Sequence, residues 1–423
     1  MAEFMGGLNV WSVLDQVVFY LYIVLFIWGG TCKFGKKLEF NDDYSSLETM
    51  KSLRGFAAIG VILHHISQEQ VFQDKGVMPM FVNAGAYFVA IFFFCSGYGL
   101  IKSLETKKDY LKGFIRKRIV KALVLPFYVN VLIYGLLVYL SGYKLPKMRW
   151  IFNFLGLTMM NTYAWFPIVL AILYLVFFLC FRFIKNRPVC FALIFLFIIG
   201  LGIGFCYNGH FAWWYGPENW WMTEAAKNAK WWQDKGALWF SGEWWVNSAP
   251  AFFTGLVFAN YEKQFLSFFK KAYALKFHIL LIITMVFYKL SAFGQAKFGY
   301  WTEYSFKGNG TEDKLKTYFC QVPLFLLLGL TIIIFMLKYH VSNPVSRFFG
   351  KYSLHTYLMN LAAITGFRFL LDSRSPVKAG KYNLLVYALA VIIVTVIFGV
   401  LEQKLTELLQ KILFRNKKEK TAA

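Results

Sequence analysis

The sequence predicts an all-α protein, a polytopic bundle of transmembrane helices with about eleven spans. Hydrophobic residues make up 58% of the chain and charged residues only 16%, whereas soluble domains are about 45–50% apolar and about 25% charged. Uncharged apolar runs long enough to cross a bilayer also recur along the whole chain. These two observations exclude an ordinary soluble domain and predict an integral membrane protein in contact with the lipid bilayer.

Apolar runs of about 17–25 residues define the spans. In chain order they are 10–30, 52–67, 81–101, 119–140, 163–184, 188–207, 245–260, 276–294, 318–338, 352–371 and 383–405. Two of them, 52–67 and 245–260, are short. The first span has no basic residue before it and no small-residue cleavage site after it, so we expect it to be retained and not removed as a signal peptide.

The basic residues predict which side of the membrane each loop faces. If all spans are real, the loops alternate, and 29 of the 45 Lys and Arg residues fall on one side, with Lys33–Arg54, Lys102–Lys121 and the C-terminal tail. Short cytoplasmic loops are enriched in Lys and Arg, so we expect this side to be cytoplasmic and the N-terminus to be outside. The net charge of +23 is then a matter of topology and lipid headgroups, and no nucleic-acid partner is predicted.

The six cysteines indicate neither a disulfide framework nor a metal site. They are scattered singly, with Cys95 and Cys180 deep inside apolar runs, and their spacing is not that of metal ligands. We interpret them as small hydrophobic residues and predict no bound metal.

One predicted outer segment, Phe211–Trp245, contains nine of the fourteen tryptophans. Tryptophan prefers the membrane–water interface, so the segment can be an aromatic belt. Indole rings also stack on the apolar faces of sugars, with Glu218, Asn219 and Glu243 as partners for hydroxyl groups. The two interpretations are compatible, and the second predicts a carbohydrate acceptor bound by the Trp213–Trp245 loop.

The second span carries ionisable residues at unusual depth. In the stretch LRGFAAIGVILHHI, Arg54 and His65 lie about 16 Å apart along the axis on nearly the same helix face, whereas His64 points about 100° away. Such groups usually face a bundle interior or a water-filled cavity. Alternatively, both histidines lie at the outer interface and bond headgroups or backbone. Glu69 lies one turn beyond His65, where it could orient the ring or be a solvated helix end.

The third span and the loop after it add further polar groups near the predicted cytoplasmic face. The span ends FFFCSGYGL, which places Ser96 and Tyr98 there. In the following loop, Arg118 and Lys121 are three residues apart on one predicted helix face. Such a run is typical of membrane topology, and it also suits phosphate groups, which arginine binds through a bidentate fork.

Three motifs in this order resemble the membrane-bound acyltransferase family 3, whose members O-acetylate polysaccharides, lipopolysaccharide and other surface glycans. They are R-G-x-A-A-x-x-V-x-x-x-H, F-F-x-x-S-G-Y and F-x-x-K-R-x-x-K-x-x-x-x-P-F-Y, with Arg54, Gly55, His65, Phe93, Ser96, Gly97, Tyr98, Arg118 and Pro126 on matching positions. The second half matches loosely, through Trp165–Phe166 and the Gly350–Ser353 stretch before Tyr357. Lys121 stands where the family more often has arginine. Asn360 stands where many members have histidine, so no acid–base role is assigned to it.

The resemblance implies a membrane-bound O-acetyltransferase of the bacterial plasma membrane. Its domain would cover 32–405, after an extra N-terminal span at 1–31 and before a basic cytoplasmic tail at 406–423, with the Trp-rich loop at 207–245. An acyl group, acetyl in particular, would pass from cytoplasmic acetyl-CoA to a hydroxyl of a glycan at the outer face. Acetyl-CoA would be a donor substrate, with no permanently bound cofactor.

The resemblance also implies roles for particular residues. His65 is expected to be the general base, because the ordinary histidine pKa of about 6.5 lies near working pH; an acyl-histidine relay is the open alternative. Glu69 is grouped with it as a catalytic residue. The expected donor-binding residues are Arg54, Ser96, Tyr98, Arg118 and Lys121.

Two other classes of protein fit parts of the pattern. A transporter or flippase of a lipid-linked glycan would use the same Trp-rich loop and basic face without a base at His65, although the sequence has no internal repeat of the kind typical of transporters. A membrane sensor or anchor would carry a soluble domain, yet every loop except 207–245 is too short to fold alone.

Overall fold

A computed structural model describes residues 10–37, 39–142, 147–155, 160–161, 163–207, 247–299, 310–371 and 383–414. The Trp-rich segment Phe211–Trp245 and residues 415–423 of the predicted tail lie outside the described residues, so the expectations placed there stay predictions. Within the described part, the protein is an all-helical polytopic membrane bundle with one short β pairing.

The helices of the first half are α1 (Val10–Ile27), α2 (Leu47–Ser67), α3 (Gln70–Asp74), α4 (Pro79–Val82), α5 (Gly85–Thr106), a π-helix (Ile115–Val124), α6 (Leu125–Leu140), α7 (Lys147–Phe154), α8 (Trp165–Phe183) and α9 (Arg187–Tyr207). Those of the second half are α10 (Pro250–Asn260), α11 (Glu262–Lys270), α12 (Tyr273–Lys297), α13 (Gly310–Met336), α14 (Pro344–Phe367), a 3-10 helix (Arg368–Leu370) and α15 (Asn383–Leu413). Strands β1 (Thr31–Cys32) and β2 (Tyr339–His340) pair antiparallel, with Thr31 opposite His340.

Each predicted span overlaps a helix. Among the described residues, seven helical segments are long and apolar enough to cross a membrane: α5, the π-helix with α6, α8, α9, α12, α13 and α15. The predicted spans 10–30 and 245–260 correspond to the shorter apolar helices Val17–Ile27 and Pro250–Asn260. The spans predicted at 52–67 and 352–371 fall on α2 and α14, whose charged and histidine side chains lower their mean hydropathy. These two polar helices are the ones that build the site described below.

The chain divides into two compact units, one of residues 1–92 with 332–401 and the other of residues 93–331 with 402–423. In the first unit, α2 and α14 make the most extensive contact between any two of the described elements. Their backbones touch at two glycines: a Cβ at Gly55 would collide with the Ser346 carbonyl oxygen, and one at Gly350 with the Lys51 carbonyl oxygen. Small residues at a crossing let transmembrane helices approach this closely.

Both helices begin at side-chain caps. The Ser46 hydroxyl accepts a hydrogen bond from the backbone N–H of Thr49 at 3.2 Å, at the start of α2. The Asn343 side chain accepts one from the backbone N–H of Ser346 at 2.7 Å, with proline at the first position of α14. These caps satisfy donors that a helix start leaves unpaired, so they fix where the two helices begin.

Helix α1 packs against α2 through an aromatic cluster. The Tyr22 hydroxyl donates to the Phe56 carbonyl oxygen at 2.9 Å, and the Tyr22 and Phe56 rings stack at 4.2 Å. A Cβ at Gly60 would collide with the Tyr22 hydroxyl and the Phe88 ring, so this glycine makes room for both. Helix α1 is therefore anchored between the positions of Arg54 and His65 on α2.

In the second unit, α5 and α10 cross at two further glycines. A Cβ at Gly97 would collide with the Phe252 carbonyl oxygen, and one at Gly255 with the Phe94 carbonyl oxygen. The π-helix packs on α8 and continues directly into α6, with Ile119 buried on its inner face. The glycine of the SGY motif thus has a structural reason, the close approach of two helices.

Candidate active site

His65 lies in a buried polar cluster formed by α2, α14 and α15. Its side chain is 7% exposed, and its Nδ1 lies 2.7 Å from Oδ1 of Asn360 on α14. The Asn360 Nδ2 donates in turn to Oγ1 of Thr395 on α15 at 3.0 Å. Asn360 and Thr395 are both completely buried. Three helices therefore contribute one side chain each to a continuous hydrogen-bonded row.

These hydrogen bonds determine which nitrogen of the His65 ring carries the proton. Because the Asn360 amide nitrogen donates to Thr395, its oxygen faces His65 and accepts a hydrogen bond from Nδ1–H. A neutral imidazole has only one N–H, so Nε2 carries the lone pair in this tautomer. The ring is thereby prepared to accept a proton at Nε2.

His64 has different surroundings. Its Nδ1 lies 2.8 Å from the Phe81 carbonyl oxygen, and since a carbonyl only accepts, Nδ1 must donate. The ring lies against Gly85, where a Cβ would collide with it. The His64 and His65 ring centroids are 5.2 Å apart. His64 thus connects α2 to the segment around α4, whereas His65 belongs to the buried polar row.

Glu69 has two interpretations from the sequence, a partner that orients His65 or a solvated helix end. In the structure α2 ends at Ser67, and Glu69 has the extended backbone of a helix-cap residue. Its carboxylate accepts two hydrogen bonds from Arg368, at 3.0 Å from Nε and 2.9 Å from Nη2. The side chain that contacts the His65 ring nitrogen is that of Asn360. Glu69 does not lie one helical turn beyond His65, because α2 ends at Ser67. Any part of Glu69 in the reaction stays a prediction.

Arg54 lies on the same unbroken helix as His65, about 16 Å away along the axis. Its side chain is half-buried and its Nε is fully buried, and no hydrogen-bond partner for that nitrogen is found among the described residues. A buried donor on a charged group without a partner is costly. Within the described part of the chain, Arg54 therefore has one buried guanidinium donor that is unpaired.

The other predicted donor-binding residues lie in the second unit. Tyr98 is 6% exposed, and its hydroxyl donates to Oε1 of Glu262 at 2.8 Å. Lys102 donates to Oε2 of the same carboxylate at 2.7 Å. Ser96 is half-buried on the same helix as Tyr98. Tyr98 is thus part of a polar cluster that joins the end of α5 to the start of α11.

Arg118 and Lys121 contact different aromatic rings. The Arg118 guanidinium lies 5.6 Å from the centroid of the Tyr110 ring, and the Lys121 ammonium 4.8 Å from that of the Phe414 ring. We expected the two cations on one face, but that expectation assumed an α-helix, and the segment is a π-helix, whose i→i+5 bonding gives more residues per turn. Short π-helical segments often occur at functional sites.

Sequence reasoning missed Thr395 and Glu262 and set Asn360 aside. A signal for two of them exists: Asn360 and Thr395 are isolated polar residues inside the apolar runs TYLMNLAAI and VIIVTVIF. Polar groups at such depth usually pair with one another or mark a site. Metal ligation has no support in the described part of the chain, where no group of three His, Cys, Asp or Glu residues could hold an ion.

A family model described as an acyltransferase domain, that of acyltransferase family 3, matches residues 48–401. No curated protein and no solved structure matches the chain. The match covers α2 through most of α15, which are the helices that carry His65, Asn360 and Thr395. Because it extends over far more than half of the chain, this protein belongs to acyltransferase family 3, a family of membrane-bound acyltransferases.

Proposed function

We propose that the protein transfers an acetyl group from cytoplasmic acetyl-CoA to a hydroxyl group of an extracytoplasmic glycan, in the plasma membrane of a bacterium. Membership of the family implies an acyltransferase; the acetyl group, the glycan and the sidedness are our proposal. The observation that supports it best is the buried His65, whose Nδ1 is held by Asn360 while Nε2 carries the lone pair.

In the proposed reaction His65 is the general base. Its Nε2 takes the proton from the acceptor hydroxyl as the oxygen attacks the thioester carbonyl, and a C–O bond forms. The C–S bond then breaks, and the sulfur of coenzyme A leaves with the proton from the imidazolium. A positioned general base contributes about 10²–10⁴-fold to the rate of such a step. An acyl-histidine relay would use the same nitrogen as a nucleophile.

Arg54 is proposed to hold phosphate groups of the donor. The thioester and the phosphates lie at opposite ends of coenzyme A, joined by the long pantetheine arm. The roughly 16 Å between Arg54 and His65 along α2 suits a donor in that extended form, and a guanidinium can bind phosphate bidentately. Ser96, Tyr98, Arg118 and Lys121 stay proposed donor-binding residues, supported by the motif resemblance.

The topology proposed is eleven spans, with the N-terminus outside and the C-terminus in the cytoplasm. All eleven predicted spans overlap helices, and seven helical segments in the described part of the chain meet the length and composition of a span. The Trp213–Trp245 loop is proposed to bind the carbohydrate acceptor at the outer face. We also keep the division into an extra span (1–31), an acyltransferase domain (32–405) and a basic tail (406–423).

The function is tested with the purified protein in sealed vesicles. The protein is oriented with its predicted cytoplasmic side towards the vesicle interior, which contains radiolabelled acetyl-CoA. Surface polysaccharide from bacteria that lack the protein is added outside the vesicles. The proposal expects label in ester linkage to the polysaccharide, released by mild alkali, and none in vesicles without protein. Movement of a lipid-linked glycan across the vesicle membrane without any transfer of label would contradict it and favour the flippase class.

A further inference from the structure

Asn360 is the central residue of the hydrogen-bonded row His65–Asn360–Thr395. Its carboxamide is completely buried and makes one hydrogen bond to each neighbour, 2.7 Å to His65 and 3.0 Å to Thr395. A carboxamide has one accepting and one donating end, and the two ends present opposite chemistry to a histidine. The direction in which this amide points therefore decides which ring nitrogen carries the proton.

Reversing the amide would remove the base. If its NH₂ group faced His65, Nδ1 would have to accept, and the single proton of the neutral ring would lie on Nε2. The Nε2 atom could then donate but could not take a proton from an acceptor hydroxyl. With the oxygen towards His65, as the structure has it, the ring carries Nδ1–H and Nε2 is a base.

Among the described residues, two rings lie near His65: His64, at 5.2 Å between centroids, and Tyr357 on α14, at 6.2 Å. The carboxylate of Glu69 is engaged by both nitrogens of the Arg368 fork. At Nδ1 itself the partner is an amide oxygen, which fixes the proton and the ring angle without supplying a negative charge.

We propose that Asn360 is a positioning residue for acyl transfer: its amide oxygen holds His65 as the Nδ1–H tautomer, while its amide nitrogen donates to Thr395. The inference rests on the proposed function of His65 as the base. Partners that orient metal-bound histidines typically contribute about 10–100-fold. We expect a loss of that order in kcat for Asn360→Leu, with the acetyl-CoA KM little changed, because the Asn360 side chain is completely buried.

The tautomer is measured directly by ¹⁵N NMR of the full-length protein labelled with ¹⁵N-histidine in bilayers. The His65 signals are identified by their loss in His65→Ala. We expect wild-type His65 at neutral pH to show a protonated Nδ1 and an unprotonated Nε2. In Asn360→Leu we expect the signal of the Nε2–H tautomer to appear. A protein in which Asn360 merely fills space would show the same tautomer before and after the substitution.

Asn360→Leu could misfold because the position is buried, so conservative variants are measured beside it. Asn360→Asp keeps an oxygen that accepts from Nδ1–H, so it should keep the wild-type tautomer and more activity than the leucine variant. Thr395→Val removes the hydroxyl that accepts from the Asn360 amide nitrogen and leaves that buried donor unpaired, so it should lower kcat, whereas Thr395→Ser should retain it. Equal kcat values for Thr395→Val and Thr395→Ser, with unchanged tautomers, would overturn the role of Thr395.

Different results would overturn the proposed function and the positioning role of Asn360. Full activity in His65→Ala would overturn the proposed function. An inactive His65→Ala together with wild-type kcat and tautomer in Asn360→Leu would leave the base in place and overturn only the positioning role. An Nε2–H tautomer in the wild-type protein would also overturn it.

Discussion

Gly55 on α2 lies directly against the carbonyl oxygen of Ser346 on α14, and the approach leaves no room for a Cβ. The same two helices touch again where Gly350 meets the carbonyl of Lys51. Because α2 carries His65 and α14 carries Asn360, the crossing at these glycines sets the distance between the two side chains. Helix packing and the hydrogen bond at the site are thus one geometric arrangement.

Gly55→Ala should therefore destabilise the protein and lower its activity. Forcing an extra methyl group into a packed contact costs about 1–3 kcal/mol, and here the colliding atom is backbone that cannot rotate away. Gly366→Ala is the matched control, since Gly366 lies on the partner helix α14 and has open space around it. Thermal unfolding in detergent measures the difference. Equal midpoints for the two alanine variants would contradict the close contact.

Helix α1 precedes the matched family region, yet its contacts predict that it belongs to the folded unit. Tyr22→Phe should lose the hydrogen bond to the Phe56 carbonyl, at a cost of about 0.5–1.5 kcal/mol. Tyr20 is the control, because it lies on the same helix and is 60% exposed. We expect Tyr22→Phe to lower the unfolding midpoint and Tyr20→Phe to leave it unchanged. The reverse order would show that α1 is not anchored there.

The positions of the helices follow from the sequence because apolar runs of bilayer length are a strong signal. All eleven predicted spans overlap helices, even at α2 and α14, where polar residues lower the hydropathy. The pairing of α2 with α14 does not follow in the same way. It depends on contacts between residues nearly 300 positions apart, such as Gly55 with Ser346, which no local pattern encodes.

At the site, too, the sequence predicts some features and not others. The helical period placed Arg54 and His65 on one helix, because both lie inside an unbroken α-helix. The same reasoning misplaced Glu69, since the helix ends before it, and the faces of Arg118 and Lys121, since that helix is a π-helix. The amide nitrogen of Asn360 pairs with Thr395 on another helix. Such long-range selection of a partner is beyond single-sequence reasoning.

Donor binding predicts a difference between two cations. Arg118→Ala should raise the acetyl-CoA KM more than Lys121→Ala, because a guanidinium binds phosphate bidentately and an ammonium does not. The kcat should change little if the contact is equally strong in the ground and transition states. Lys117→Ala, at an exposed position on the same π-helix, is the control. An unchanged KM in inserted Arg118→Ala protein would leave the basic segment a topology signal alone.

Membrane topology gives an independent prediction. Single cysteines in a cysteine-free protein should react with an impermeant thiol reagent in intact cells when placed between Phe211 and Trp245, and should be protected between Lys102 and Lys121. Permeabilised cells provide the control, in which both sites should react. Labelling of the Lys102–Lys121 segment in intact cells would contradict the proposed sidedness of donor and acceptor.

The central claim is that His65, and not its neighbour, is the base. The most direct test is the rate of acetyl transfer from labelled acetyl-CoA to surface glycan, with protein amounts in the membrane matched. His65→Ala should lose about 10²–10⁴-fold, while His64→Ala, which loses a contact to the Phe81 carbonyl, should keep a substantial part of the activity. His278→Ala, at an exposed histidine on α12, should match the wild type. A His65→Ala protein as active as His278→Ala would contradict the account.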